Sequence, residues 1–204
     1  MTRPRSIRGD DLRVALAQEA ARIMFEHGVE DYGFAKRKAA ERLGASEYAV
    51  LPKNAEIDVA LAEYQRLFAA DSHADTLAAQ RSVALESMEL LAEFEPRLVG
   101  PVLTGTATPH QQVQLHVFSD NAEAVFWCLL ENQISYRVGE QRVRMNSERV
   151  LMLPTVEFSL SDLDVEATVF PRDGIRQAPL SPSDGKPMRR ANAHDVRTLL
   201  EEPS

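Results

Sequence analysis

One segment of this chain combines the residue types and spacing that suit contact with a polar ligand. Leu98-Val99-Gly100-Pro101-Val102-Leu103 runs through Thr104 into Gly105-Thr106, and Gln112-Val113-Gln114-Leu115-His116-Val117-Phe118 follows after a short polar turn. Glycine lets a backbone approach a ligand closely, and a hydroxyl beside it can donate to a ligand oxygen. Side chains two apart on a strand face the same side, so Gln112, Gln114 and His116 share one face. Val113, Leu115 and Val117 share the other, which the alternation predicts to be apolar. Asp164-Val165-Glu166-Ala167-Thr168-Val169-Phe170 reads as a later strand of the same kind, with acidic residues at alternate positions.

A strand ending in Gly-Thr, a polar turn, an alternating strand, a helix near 121–131 and a later acidic strand resemble the catalytic core of the nucleotidyltransferase (DNA polymerase β-like) superfamily, over roughly Ala74 to Phe170. In that family a strand ends in Gly-Ser, the next carries an Asp-x-Asp pair, and a third carboxylate sits on a later neighbouring strand. The resemblance matches Gly105 and Thr106 to the Gly-Ser, places Gln112 and Gln114 at the two paired carboxylates, and leaves Glu166 or Asp164 as the third. In the family such carboxylates jointly hold Mg²⁺. Two glutamines remove two negative charges from such a site, so Mg²⁺ is disfavoured and ordinary two-metal nucleotidyl transfer is not expected. The turn between Gly105 and Gln112 is also shorter than usual for the family. The resemblance therefore implies a catalytically degenerate protein that binds a nucleotide or another anionic ligand, or a regulatory module that meets a protein partner.

Other chemistry is less well supported. Pro171 to Arg190 is rich in Pro, Gly, Ser and basic residues, and is expected to be a surface loop. Its arginines are candidate clamps for phosphate or carboxylate, Arg172 and Arg176 first, with Arg189 and Arg190, since guanidinium pairs with both in fork geometry. Lys38-Ala39-Ala40-Glu41-Arg42-Leu43-Gly44-Ala45-Ser46 resembles the middle of a helix-turn-helix, with Lys36 and Arg37 adjacent. That supports an alternative, a nucleic-acid-binding regulator acting through Lys36, Arg37, Lys38 and Arg42. Against it, Pro52 would break a recognition helix early, and the net charge is −8. The five histidines have no i, i+4 pair for a metal, and the single Cys128 sits among apolar residues, as a small buried hydrophobe would.

These residues need a scaffold, and the pattern predicts an α+β one, with a helical N-terminal segment packed on a mixed sheet of nucleotidyltransferase-like topology. Hydrophobic residues at 44% and charged residues at 26% are ordinary globular usage. Stripes of period 3.6 predict helices from Asp10 to His27, from Asp31 as N-cap to Leu43 with Gly44 closing it, from Asn54 with Leu67 and Phe68 on the inner stripe, and from Ala74 to Phe94. Arg97 to Leu103 is expected to be an irregular strand. A helix capped by Asp120, a hairpin turning at Gly139-Glu140, two strands joined at Ser161-Asp162 and a closing helix from Ala193 follow. Three regions are expected: 1–72 helical, 73–170 the α/β core, and 171–204 the loop and last helix. No apolar run is long enough to span a membrane, no apolar segment follows the basic start, and cysteine is scarce, all as expected of a cytoplasmic protein.

Overall fold

The computed structural model describes residues 9–29, 31–45, 50–68 and 70–201. Contacts divide the chain into two compact units. One holds the chain through His73 together with Pro182–Asp184, and the other holds Ala74–Ser181 and the chain from Gly185. Among the described residues no helix is long and apolar enough to cross a membrane.

The first unit contains α1 (Gly9–His27), α2 (Tyr32–Leu43) and α3 (Asn54–Phe68). The boundaries of α2 are those its residues dictate. The Asp31 carboxylate accepts from the Phe34 amide at 2.7 Å, and Gly44 takes a left-handed φ of 61° that ends the helix. The core is made of small side chains, including Ala17, Ala20, Ala35 and Ala39 around Leu16 and Ile57, which lets the helices approach closely. On α3 the expected inner stripe stops early. Leu67 and Phe68 are exposed, and Gln65 is buried instead.

Polar contacts tie α2 to α3 at its first turns. The Tyr32 hydroxyl donates to Asp58 at 2.6 Å, and the Lys36 ammonium donates to the Asn54 side-chain oxygen at 2.6 Å. Pro182–Asp184 joins this unit at the same place. The Asn54 amide donates to the Pro182 carbonyl at 2.9 Å, and the Ser183 hydroxyl donates to Asp58.

The second unit is built on a five-stranded mixed sheet in the order β1 (Arg97–Val99), β2 (Val113–Phe118), β5 (Leu163–Phe170), β4 (Val150–Leu160), β3 (Tyr136–Arg144). The β2–β5 pair is parallel and the other three pairs are antiparallel. The apolar face carries Val113, Leu115, Val117, Val165, Ala167, Val169, Val156 and Phe158. It is buried against Leu77, Ala84 and Met88 of α4 (Ala70–Leu90), Val125 and Leu129 of α6 (Ala122–Glu131), and Val196 of α7 (Ala193–Glu201). Cys128 is buried in the same core, as its flanks predict. Burial first, and Glu93 second, hold its thiol above the usual range.

Several local expectations are corrected. The strand expected over Arg97–Leu103 ends at Val99. Gly100 then takes a φ of 70°, and Pro101 starts one short helical turn, α5 (Gly100–Thr104), closed by Gly105 at a φ of 83°. The fourth helix stops at Leu90, and Ala92–Phe94 forms a 3₁₀ turn. Asn121, not Asp120, caps α6, accepting from the Glu123 amide at 3.1 Å. β3 runs straight through Gly139-Glu140, where Gly139 lies opposite Thr155 and an added Cβ would come within 2.9 Å of the Thr155 hydroxyl.

The β3–β4 reversal is made instead by Asn146, whose side-chain oxygen accepts from the Glu148 amide at 2.9 Å and the Arg149 amide at 2.7 Å. Asn146→Ala removes both acceptors and is expected to destabilise the chain by about 1 kcal/mol, read as a lower urea midpoint at unchanged slope. The β4–β5 turn lies where its residues predict, with Ser161 and Asp162 both at positive φ (49° and 63°).

Candidate functional site

The face of the sheet opposite the helices is polar along most of its length. Strand pairing puts Gln114 between Val99 of β1 and Glu166 of β5, and Glu166 in turn opposite Glu157 of β4. One step along, His116 lies between Arg97 and Thr168. Paired residues share a face, so Gln114, His116, Glu166, Thr168 and Arg97 stand side by side. Gln112, just before the same strand, lines a groove of about 220 Å³ with Ser135, Tyr136, Arg137, Glu157, Phe158, Ser159 and Asp164. There the Ser159 hydroxyl donates to Asp164 at 2.7 Å, and Arg137 pairs with Glu157 at 3.1 Å.

Toward the other end the polar face closes over an aromatic cluster of Phe118 and Phe170 with Val143, Met145 and Leu153. Arg190 sits on it. Its guanidinium carbon lies 5.0 Å from the Phe118 ring centre and 4.9 Å from that of Phe170. Its Nε donates to His116 Nδ1 at 3.0 Å, and its Nη1 donates to the Gly174 and Ile175 carbonyls at 2.8 and 3.3 Å. The remaining nitrogen, Nη2, is buried without a hydrogen-bond partner among the described residues. A backbone bridge between Leu98 and Ala191 holds Arg190 in this place.

This arrangement sets the charge state of His116. The residue is 5% exposed, and burial first, then the Arg190 cation, push its pKa down to about 3. Because guanidinium only donates, Nδ1 must accept, which leaves the proton of the neutral ring on Nε2. Arg190 is itself lowered to about 10, by burial and then by Arg97. The two aromatic faces offset part of that burial cost.

The residues expected from sequence divide between several places. Gln114, His116 and Glu166 share one stretch of the polar face, and Gln112 lies at its groove end. Gly105 and Thr106 follow the helical turn. A Cβ on Gly105 would lie 3.8 Å from Arg81 and 3.9 Å from Leu77 of α4, on the side of the helices. The glycine beside Gln114 is Gly100, where a Cβ would fall 2.3 Å from the Gln114 carboxamide oxygen. Arg172 and Arg176 lie in a 3₁₀ turn with exposed side chains, and it is the Arg172 backbone amide that makes a bond, to Asp120 at 3.0 Å. Arg97, Gly100 and Thr168 are therefore the neighbours that sequence reasoning missed. Of the loop arginines expected as clamps, Arg190 stands at the polar face, on His116 and the Phe118–Phe170 pair.

The side chains do not fit an ordinary two-metal site. Glu166 is the carboxylate directly beside Gln114, and among the described residues no group of three His, Cys, Asp or Glu is placed to hold a metal ion. Basic residues of the helix-turn-helix-like segment are engaged within their own unit. Lys38 pairs with Glu41 at 2.9 Å, and Arg42 pairs with Glu19 at 3.0 Å. Compared with known proteins, the chain matches no family model, no curated protein and no solved structure.

Proposed function

We propose that the polar sheet face of the second unit binds a small anionic ligand, a nucleotide in the form the nucleotidyltransferase resemblance implies, without two-metal catalysis. The observation that carries this reading is the row in which Gln114 stands beside Glu166, with His116, Arg97 and Arg190 immediately next to it. Amide and imidazole groups there offer hydrogen bonds, and Arg190 supplies positive charge toward the β1 side, where Arg97 is already paired with Glu95 at 3.8 Å. The neutral glutamines leave too little negative charge to hold a divalent cation, so the anion is held by the protein's own donors.

The test is a thermal-shift panel of ATP, GTP, CTP and UTP with and without Mg²⁺. A ligand at about 100 times its Kd stabilises by roughly 2.7 kcal/mol, on the order of 5–10 °C in Tm for a chain of this size. The expected shift needs no Mg²⁺. In the double variant Gln112→Asp with Gln114→Asp it is expected to weaken without Mg²⁺ and to become Mg²⁺-dependent. A flat panel for the wild-type chain overturns the nucleotide reading.

A further inference from the structure

We propose that Arg190 is a positioning residue that fixes His116 as a neutral Nε2–H donor, presented at constant protonation to an anionic oxygen of the ligand on the polar sheet face. This rests on the ligand-binding reading above. The guanidinium Nε occupies His116 Nδ1 at 3.0 Å, and a group that can only donate forces that nitrogen to accept. Phe170 packs on the imidazole with ring centres 4.5 Å apart, which restricts the ring orientation. Nε2 makes no hydrogen bond to a described residue, so the proton held there is available to a ligand acceptor.

The Arg190 cation favours the same state. Arg97 lies opposite on β1, Arg190 sits above, and Glu166 is one row away on β5 beside Thr168. A second proton would have to enter at Nδ1, where the Arg190 guanidinium sits, and displace it. A neutral histidine without such a partner would change charge near neutral pH and alter its affinity for an anion. Here the donor keeps its form. Arg190 itself is held by the Gly174 and Ile175 carbonyls, so the positioning group is in turn fixed by the segment it crosses.

The experiment is imidazole ¹H–¹⁵N correlation spectroscopy on the full chain, with inorganic sulfate as the probe because its charge is constant across the pH range used. The expected wild-type result is an Nε2-protonated, Nδ1-unprotonated His116 at both pH 8 and pH 5. Its Nε2–H signal should move saturably with sulfate, with the same affinity at both pH values. Arg190→Met should mix the tautomers, raise the His116 pKa and weaken sulfate on the order of tenfold. Arg190→Lys keeps the charge. If it retains sulfate affinity while releasing the tautomer, charge alone explains binding and the proposal is overturned.

A wild-type His116 protonated on Nδ1 overturns it without any variant, as does an Nε2 signal that sulfate does not move. A nucleotide-induced thermal shift with an unresponsive His116 would overturn this inference alone. A flat nucleotide panel with a sulfate-responsive His116 would overturn the nucleotide reading alone.

Discussion

Stability is expected to fall as the pH is lowered from about 6.5 toward 3, and much of that slope should vanish in His116→Gln. The folded-state pKa of His116 is depressed to about 3, against an ordinary value of 6.5 in the unfolded chain. As the pH falls, the unfolded chain therefore takes up the proton first, and the equilibrium shifts toward it. The contribution of the neutral ring is fully present above pH 6.5 and is lost progressively down to about pH 3. At about 1.4 kcal/mol for each pH unit, the full effect is on the order of 4–5 kcal/mol. Carboxylates also titrate in this range, so the measurement is a difference, namely urea midpoints of wild type and His116→Gln across the pH series. A glutamine oxygen can still accept from Arg190 but does not titrate. Parallel curves for the two proteins would show that His116 is not held neutral by its surroundings.

Phe170→Ala is expected to destabilise the chain by about 3–5 kcal/mol, as truncation of a large buried aromatic does. The residue is 1% exposed and is among the largest fully buried side chains. It joins the groups of the polar face, with its ring centre 4.5 Å from that of His116, 6.0 Å from that of Phe118 and 4.9 Å from the Arg190 guanidinium carbon. Its loss would leave a void beside the His116 ring. The urea midpoint should drop, and the His116 pKa should rise toward its ordinary value. Phe170→Leu, which refills part of the volume, should cost less while also removing the aromatic face under Arg190. A loss well below 2 kcal/mol in Phe170→Ala would mean that the site collapses around the truncated side chain rather than keeping a cavity.

These two effects meet on side chains that lie far apart in the chain, and that separation marks the limit of what could be read beforehand. Local chemistry was legible. Asp31 and Gly44 bound α2 because a carboxylate cap and a left-handed glycine act within a few residues of themselves. The two faces of β2 follow from its period of two, so Gln114 and His116 could be assigned to one side without knowing the neighbours. The Ser161-Asp162 turn was legible for the same reason, since it joins two strands with nothing between them.

The neighbours that those faces meet emerge only on folding. Glu166 stands beside Gln114 because of a parallel register between β2 and β5, and the chain between them contains a helix and two further strands. Gly100 rather than Gly105 lies against Gln114 because the chain turns at Val99, where Pro101 starts a helical turn in place of a longer strand. Arg190 reaches His116 from 74 residues away, brought there by the bridge between Leu98 and Ala191. Periodicity and capping describe forces that act within a turn or a strand. Register and long-range closure are set by the sum of many contacts, and no single segment carries that sum.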